Sequence, residues 1–352
     1  MCGSQIYYIK CGRGPIISMK TIDVIIPTYK PDNDFLNLLK MLEEQTVPIQ
    51  KIIIMNTEEK YWNNLVYGSQ LFDKYKNIEI RHLSKLEFDH GRTRDSGIKR
   101  STADFFICMT QDAAPVDSNL VENLLKPFED DKTVVSYARQ LPVKNSDEIE
   151  CFSRKFNYPE ESLLKSIEDL PRLGIKTYFC SNVCAAYKRE VYNELGGFIK
   201  HTIFNEDMIF AANALKAGYR VAYTANAMVY HSHHYSNKVQ FSRNFDIGVS
   251  QVDHPEIFAD IPSETEGIRY IKMMKKHLKE THNMNLIFSL YITSAYKYLG
   301  YRLGKNYRRL PKSLVLKWTM NKDYWRHESL LQERGTIDPK KGYGRSEEEA
   351  KR

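Results

Sequence analysis

Two carboxylates, Glu206 and Asp207, stand side by side in Phe204-Asn-Glu-Asp-Met-Ile-Phe210, where a helical pattern opens. Ile209, Phe210, Ala214 and Leu215 recur at helical spacing up to Gly218, so the pair falls in the first turn. A strand-like run from Tyr219 to Tyr230 then ends in His231-Ser-His-His234. A carboxylate is suited to act as a general base, and an imidazole or carboxylate can ligate a metal. Acidic residues in a first helical turn also serve simply to complement the helix dipole, and this stretch alone leaves both uses open.

Elements that could position such groups follow a regular order. Thr21–Pro27, 51–55, 78–83 and 104–109 are short β-branched or apolar runs, each expected to be a strand. Between them, Asp34–Gln45, 62–75 and 92–101 carry helical periodicity. This alternation predicts an α/β fold with a mostly parallel central sheet flanked by helices. Ligands in such sheets bind beyond the carboxyl ends of the strands. That places Pro27, Thr28, Tyr29, Asn56, Thr57, Thr110, Gln111 and Asp112 at the expected site. Further strands are expected over 133–138, 177–187 and 219–230, and helices over 120–128, 189–195, 238–250, 264–280, 284–303 and 312–319.

Charge and composition narrow the classes. The 352 residues carry a formal charge of +7, and the eight basic residues between Thr281 and Lys322 account for all of that excess in a stretch without Asp or Glu. Its Leu, Ile, Phe, Tyr and Trp318 side chains suit an amphipathic surface on anionic lipid. A packed helical pair with a solvated basic face would use the same residues. Nucleic acid finds no second supporting feature. The six cysteines form neither a zinc-site spacing nor a disulfide framework, which suggests buried thiols in a reducing compartment. Residues 1–18 do not read as a signal peptide, and no apolar run reaches the roughly 18 to 20 residues of a spanning helix.

Six marks in order carry a resemblance: Val24-Ile-Ile-Pro-Thr-Tyr29, Gly91-Arg-Thr-Arg-Asp-Ser-Gly97, Phe105-Phe-Ile-Cys-Met-Thr-Gln-Asp112, Cys180-Ser-Asn182 through Lys188-Arg189, Gly196-Gly-Phe198, and Asn205-Glu-Asp207. Together they resemble the family-2 inverting glycosyltransferases of the GT-A fold. Phe88-Asp-His-Gly-Arg-Thr-Arg94 and Thr110-Gln-Asp-Ala-Ala-Pro115 are most similar to bacterial rhamnosyltransferases that build cell-surface polysaccharide. The resemblance implies a dTDP-rhamnose donor, a lipid-linked oligosaccharide acceptor, and Mn²⁺ or Mg²⁺ as cofactor. It also implies Asp207 as catalytic base, with Glu206 orienting the acceptor or holding Asp207, and Ser181 and Asn182 at the acceptor. Asp112 matches the second acidic position of the family's Asp-x-Asp motif and, with His231, is the implied metal ligand. Arg94 matches the family arginine beside the diphosphate, and Arg92 is its neighbour.

Two positions depart from the pattern. Thr110 replaces the first acid of the motif, and Asn56 stands where an Asp usually meets the pyrimidine. The departures leave room for another donor, such as UDP-glucose or UDP-galactose, or for a relative that binds nucleotide sugar without turnover. The expected organisation is an extension (1–18), a catalytic domain (19–235, with a nucleotide-sugar half at about 19–116 and an acceptor half at about 117–235), a basic helical region (236–332) and a disordered tail (333–352). The expected location is cytoplasmic, peripheral on the inner face of the cell membrane through 284–319.

Overall fold

Strand β1 (Ile22–Tyr29) is apolar over almost its whole length and buried on both faces, so it lies inside the sheet rather than at an edge. Parallel partners flank it, β2 (Lys51–Thr57) and β4 (Phe105–Met109), and β3 (Ile78–Leu83) extends the sheet beyond β2. Helix Asn33–Glu43 crosses from β1 to β2. Its start is fixed by Asp32, whose carboxylate accepts from the backbone of Asp34 and Phe35. Phe35, Leu38, Leu39 and Leu42 form the face it buries. The computed structural model describes residues 20–67, 75–233, 235–261 and 264–326. The expected extension (1–18) and tail (333–352), His234, and part of the helix expected over 62–75 lie outside these.

The remaining strands are β5 (Ala114–Pro115), β6 (Thr133–Leu141), β7 (Leu163–Lys165), β8 (Cys184–Lys188) and β9 (Arg220–Tyr230). The order is β3-β2-β1-β4-β8-β6-β9-β5, with β7 also paired to β9. The half bearing β1 to β4 is parallel. β8 runs antiparallel to both β4 and β6, and β6 is again parallel to β9.

Two expected elements differ. In its described part the helix expected over 62–75 begins earlier and ends sooner, at Glu59–Val66. Of the strand predicted over 177–187 only the end from Cys184 is strand, in an element that runs on to Lys188, and Gly174–Thr177 is a 3₁₀ turn. Tyr178 and Cys180 are buried by packing, not by laddering. The carbonyls of Lys176 and Phe179 are instead taken by the ammonium of Lys165. Within the polar connection before it, helix Glu148–Asn157 and β7 form without an apolar run long enough to announce them.

The chain divides into two compact units. The first holds the described residues up to Ser84, Arg92–Phe198 and Asp207–Ser232, with a core built from β1, β2, β4 and the helices that cover them. The second gathers Lys85–Gly91, Ile199–Glu206 and the described residues from His233 on. Its helices Asn237–Asp253, Glu264–Glu280, Ile287–Lys305 and Lys312–Trp318 match the four patterns read from the sequence. Helices Asn237–Asp253 and Ile287–Lys305 approach backbone to backbone through glycines. A Cβ on Gly300 would lie 2.2 Å from the carbonyl oxygen of Phe241, and one on Gly304 2.1 Å from that of Phe245. Beside this contact Ile203, Phe245, Val249, Val315, Tyr324 and Trp325 form the second unit's core.

Candidate active site

The carboxyl ends of the parallel strands lie in register, with Thr28 beside Asn56 and Tyr29 beside Thr57. Of these, Tyr29 is exposed (38 %) and Pro27 half-buried, while Thr28, Asn56 and Thr57 are buried. Thr28 Oγ1 donates to Asn56 Oδ1 at 3.1 Å, and Asn56 Nδ2 donates to His82 Nδ1 at 2.9 Å. The amide expected to read a base is thus fully buried and held between Thr28 and His82, where it supports the strand ends. Gln111 has a similar duty. Its Oε1 accepts from Tyr29 N–H at 2.8 Å and its Nε2 donates to Tyr29 C=O at 3.1 Å, an amide clasp that fixes Tyr29 across from the β4 end. The surface presented here is aromatic and basic. The Tyr29 and Tyr61 rings meet edge-on at 5.5 Å, and the Lys30 ammonium lies 5.4 and 5.1 Å from their centres. Tyr61 and Lys30 carry no motif, so the sequence did not single them out. In helix His90–Ile98, Arg94 is buried and Arg92 half-buried.

A second group converges because β9 pairs on both sides. Ala114 lies opposite Tyr230 in the short β5–β9 ladder, and Leu141 of β6 lies opposite the same Tyr230. Asp112, Gln140 and His231 are therefore brought to one place from positions far apart in sequence. His231 is buried, with Nδ1 2.9 Å from Gln140 Oε1. Arg154 donates to that same Oε1 at 2.6 Å. Because a guanidinium can only donate, it fixes which end of the amide is oxygen, and His231 Nδ1 must then carry the proton. Nε2 is left facing Asp112 Oδ1 at 3.6 Å.

A proton on Nε2 or a cation between the two atoms satisfies this pair. Ligand bonds of about 2.0–2.2 Å to a divalent ion put neighbouring ligand atoms about 3 to 3.5 Å apart. Asp112 and His231 could thus hold such an ion. Thr110, at the motif's first acidic position, has a buried Oγ1 without a hydrogen-bond partner among the described residues. A hydroxyl there supplies no charge to a cation.

Gln140 also faces the other way. Its Nε2 donates to Ser181 Oγ at 3.0 Å. The next residue, Asn182, gives its backbone N–H to Asp207 Oδ2 at 2.9 Å, while Asp207 Oδ1 accepts from Met208 N–H at 2.8 Å. Asp207 is half-buried and oriented at the first turn of helix Glu206–Lys216, which follows Asn205 at φ 66°. The Asn182 side chain is buried and accepts from Tyr187 Oη at 2.7 Å, so its backbone reaches the carboxylate. Glu206 is buried as well. Lys165 stiffens the same segment from below, lying 4.9 Å from the Tyr137 ring centre and donating to the two carbonyls already named. Burial pulls its ammonium down to about 7.

Comparison with known proteins gives a consistent assignment. Residues 23–196 match the family described as glycosyl transferase family 2. An O-antigen chain rhamnosyltransferase of Salmonella typhimurium is 39 % identical over 306 residues, covering 86 % of this chain and 96 % of its own. Another, from Salmonella anatum, is 37 % identical over 313 residues, covering 87 % and 96 %. Among solved structures, a mannosyltransferase from Pyrobaculum calidifontis in complex with GDP-mannose and Mn²⁺ aligns with a TM-score of 0.50 at 14 % identity, covering 90 % of this chain and 88 % of that one. At that identity the likeness speaks to fold.

The Gln140 contacts generate a prediction. Gln140→Leu removes the acceptor that sets the His231 tautomer, and loss of such an outer partner typically costs about 10- to 100-fold in metal affinity. Calorimetry with Mn²⁺ in the presence of a nucleoside diphosphate should register that loss, with Gln140→Glu retaining more affinity than the leucine variant. Equal Mn²⁺ affinity in parent and leucine variant would contradict the role.

Proposed function

The chain belongs to glycosyl transferase family 2, and from that premise we propose that it moves rhamnose from dTDP-rhamnose to a lipid-linked oligosaccharide in cell-surface polysaccharide synthesis. It is a glycosyltransferase with the GT-A architecture. The observation that carries the finer reading is 39 % identity to an O-antigen chain rhamnosyltransferase over nearly all of that relative's length.

Asp207 takes the proton of the acceptor hydroxyl as that oxygen attacks the anomeric carbon. The bond from that carbon to the nucleoside diphosphate breaks in the same displacement, so the configuration inverts and no covalent enzyme intermediate forms. Asp207 is suited to this work because Asn182 and Met208 each donate to one of its oxygens and fix its direction. Asp112 and His231 would hold a divalent cation, which would supply positive charge against the departing diphosphate. An imidazole ligand and a single carboxylate favour Mn²⁺ over Mg²⁺. Arg94 and Arg92 supply further positive charge for phosphate oxygens, Tyr29 faces the nucleotide, and Glu206 orients the acceptor.

Asp207→Asn keeps shape and loses basicity, so transfer should fall by about 10²- to 10⁴-fold with donor binding preserved. The assay follows nucleotide release from dTDP-rhamnose, UDP-glucose and UDP-galactose with Mn²⁺. Preference for a uridine donor would replace the rhamnosyl reading, release from none would replace the enzymatic one, and near-parental transfer by Asp207→Asn would remove the base.

The second unit supports attachment to an anionic membrane surface at the inner face of the cell membrane. Among the described residues no helix is long and apolar enough to cross a membrane. Helix Ile287–Lys305 exposes Phe288 (73 %), Tyr291, Tyr298, Leu299 and Arg302 at helical spacing. Helix Glu264–Glu280 exposes Ile268, Met273 and Lys272, Lys275, Lys276 and Lys279. Not all of the basic excess is available to lipid, since Arg308 pairs with Asp253 at 2.8 Å and Arg302 approaches Glu264 at 3.7 Å. The apolar contribution is therefore the better target. Combined Phe288→Ser, Tyr298→Ser and Leu299→Ser substitutions should abolish sedimentation with phosphatidylglycerol-containing vesicles at low salt. Undiminished sedimentation of the triple variant, or none by the parent, would exclude this surface.

A further inference from the structure

The second unit carries a row of partly exposed rings that the transfer reaction described above does not use. The Phe88 ring meets His90 at 5.3 Å, and His90 meets Phe204 at 5.6 Å. The Arg243 guanidinium lies 4.6 Å from the Phe204 ring centre and 6.0 Å from that of Tyr235. All five side chains are half-buried, whereas Phe245 and Ile203 of the adjacent core are closed to solvent. Phe204 packs one side against that core. Among the described residues Arg243 forms no salt bridge, so its donors are not committed to a carboxylate.

The backbone beneath the row is held firmly. Asp89 accepts from Gly91 N–H at 2.9 Å and from Thr202 N–H at 3.3 Å, which ties the segment of Phe88 and His90 to that of Phe204. Phe204 C=O accepts from Thr202 Oγ1 at 2.6 Å and from Ser250 Oγ at 2.7 Å, and Asn205 Nδ2 donates to Ser250 Oγ at 3.1 Å. Ser250 belongs to helix Asn237–Asp253, the helix that also carries Arg243. Three chain segments therefore present these side chains on one fixed support.

We propose that Phe88, His90, Phe204, Tyr235 and Arg243 form a binding platform for a pyranose of the acceptor oligosaccharide. The chemistry of the row matches a sugar. A pyranose offers one face of C–H groups, which carry partial positive charge and pack on the electron-rich face of an aromatic ring. Its rim of hydroxyl oxygens accepts hydrogen bonds from a group that can only donate. The Arg243 guanidinium, 4.6 Å from the Phe204 ring centre, offers N–H donors and no acceptor for that purpose. Phe204 stands three residues before Asp207, so the segment that shapes the platform leads directly into the helix that carries the base. The inference rests on the glycosyltransferase reading and names where its acceptor is gripped.

Saturation-transfer NMR on the full chain tests this, using methyl glycosides of glucose, galactose, mannose and rhamnose as probes. Binding of dTDP is measured in parallel by calorimetry. The parent should transfer saturation to ring C–H protons of at least one glycoside. Phe204→Leu and Arg243→Gln should each weaken that binding by roughly tenfold, the scale of a lost stacking or charged donor contact. Phe204→Tyr, which retains the ring, should bind as the parent does, and dTDP affinity should be unchanged throughout. No transfer to any glycoside, equal binding by all variants, or displacement of the glycoside by inorganic pyrophosphate overturns the platform, the last because the site would then take phosphate. Absence of dTDP binding by the parent would instead overturn the donor reading and leave the sugar measurement to stand by itself.

Discussion

A single side-chain amide organises the first unit's chemistry. Gln140 accepts from His231 and Arg154 through one oxygen and donates to Ser181 through its nitrogen. The first contact fixes the imidazole tautomer, and the last steadies the turn whose next residue grips Asp207. The candidate metal ligand and the candidate base are thereby built on one residue. A buried amide in this role is economical only when both ends are satisfied, since an unpaired polar group in the interior costs about 1–3 kcal/mol. Arg154, itself held by Glu150 at 2.8 Å, makes the arrangement one-directional by allowing the amide only one orientation.

The sheet exists in the form that this amide requires. β6 and β9 are parallel neighbours whose register sets Gln140 beside Val229, so Gln140 and His231 emerge together at the strand ends. The two-residue β5 strand then pulls the chain after Asp112 onto the other edge of β9. Reversal of β8 between β4 and β6 lets the turn before it, Ser181–Val183, meet both Gln140 and Thr110. Strand direction, more than strand composition, decides which distant residues share the site.

Much of this was legible from sequence, for identifiable reasons. β1, β2 and β4 are nearly continuous apolar runs, and the four C-terminal helices keep a clear period, so both classes announce themselves. Asp112 and His231 were expected as partners and stand 3.6 Å apart. Roles that depend on what an amide touches were not legible. Asn56 and Gln111 sit at the strand ends where ligands were expected, yet their side chains hold Thr28, His82 and the Tyr29 backbone. Gln140 was missed because one polar residue in a strand looks like a surface position until the neighbouring strand is known. The strand expected over 177–187 does not form at its start, where the Tyr178 and Phe179 N–H groups close turns onto Ile175 and Lys176, and Lys165 donates to the carbonyls of Lys176 and Phe179.

The proposed metal site turns on one atom, Nε2 of His231, which faces Asp112 Oδ1 at 3.6 Å while Nδ1 faces Gln140. With Thr110 in place of the motif's first acid, Asp112 is the one carboxylate left there, and the proposed site draws its second ligand from this nitrogen. Electron spin-echo spectroscopy of the full chain loaded with Mn²⁺ and dTDP examines that bond directly. The account predicts nitrogen modulation from one directly coordinated imidazole, absent when His231 is replaced by alanine. Bound Mn²⁺ without imidazole nitrogen coupling in the parent, or the same coupling in the alanine variant, would contradict it.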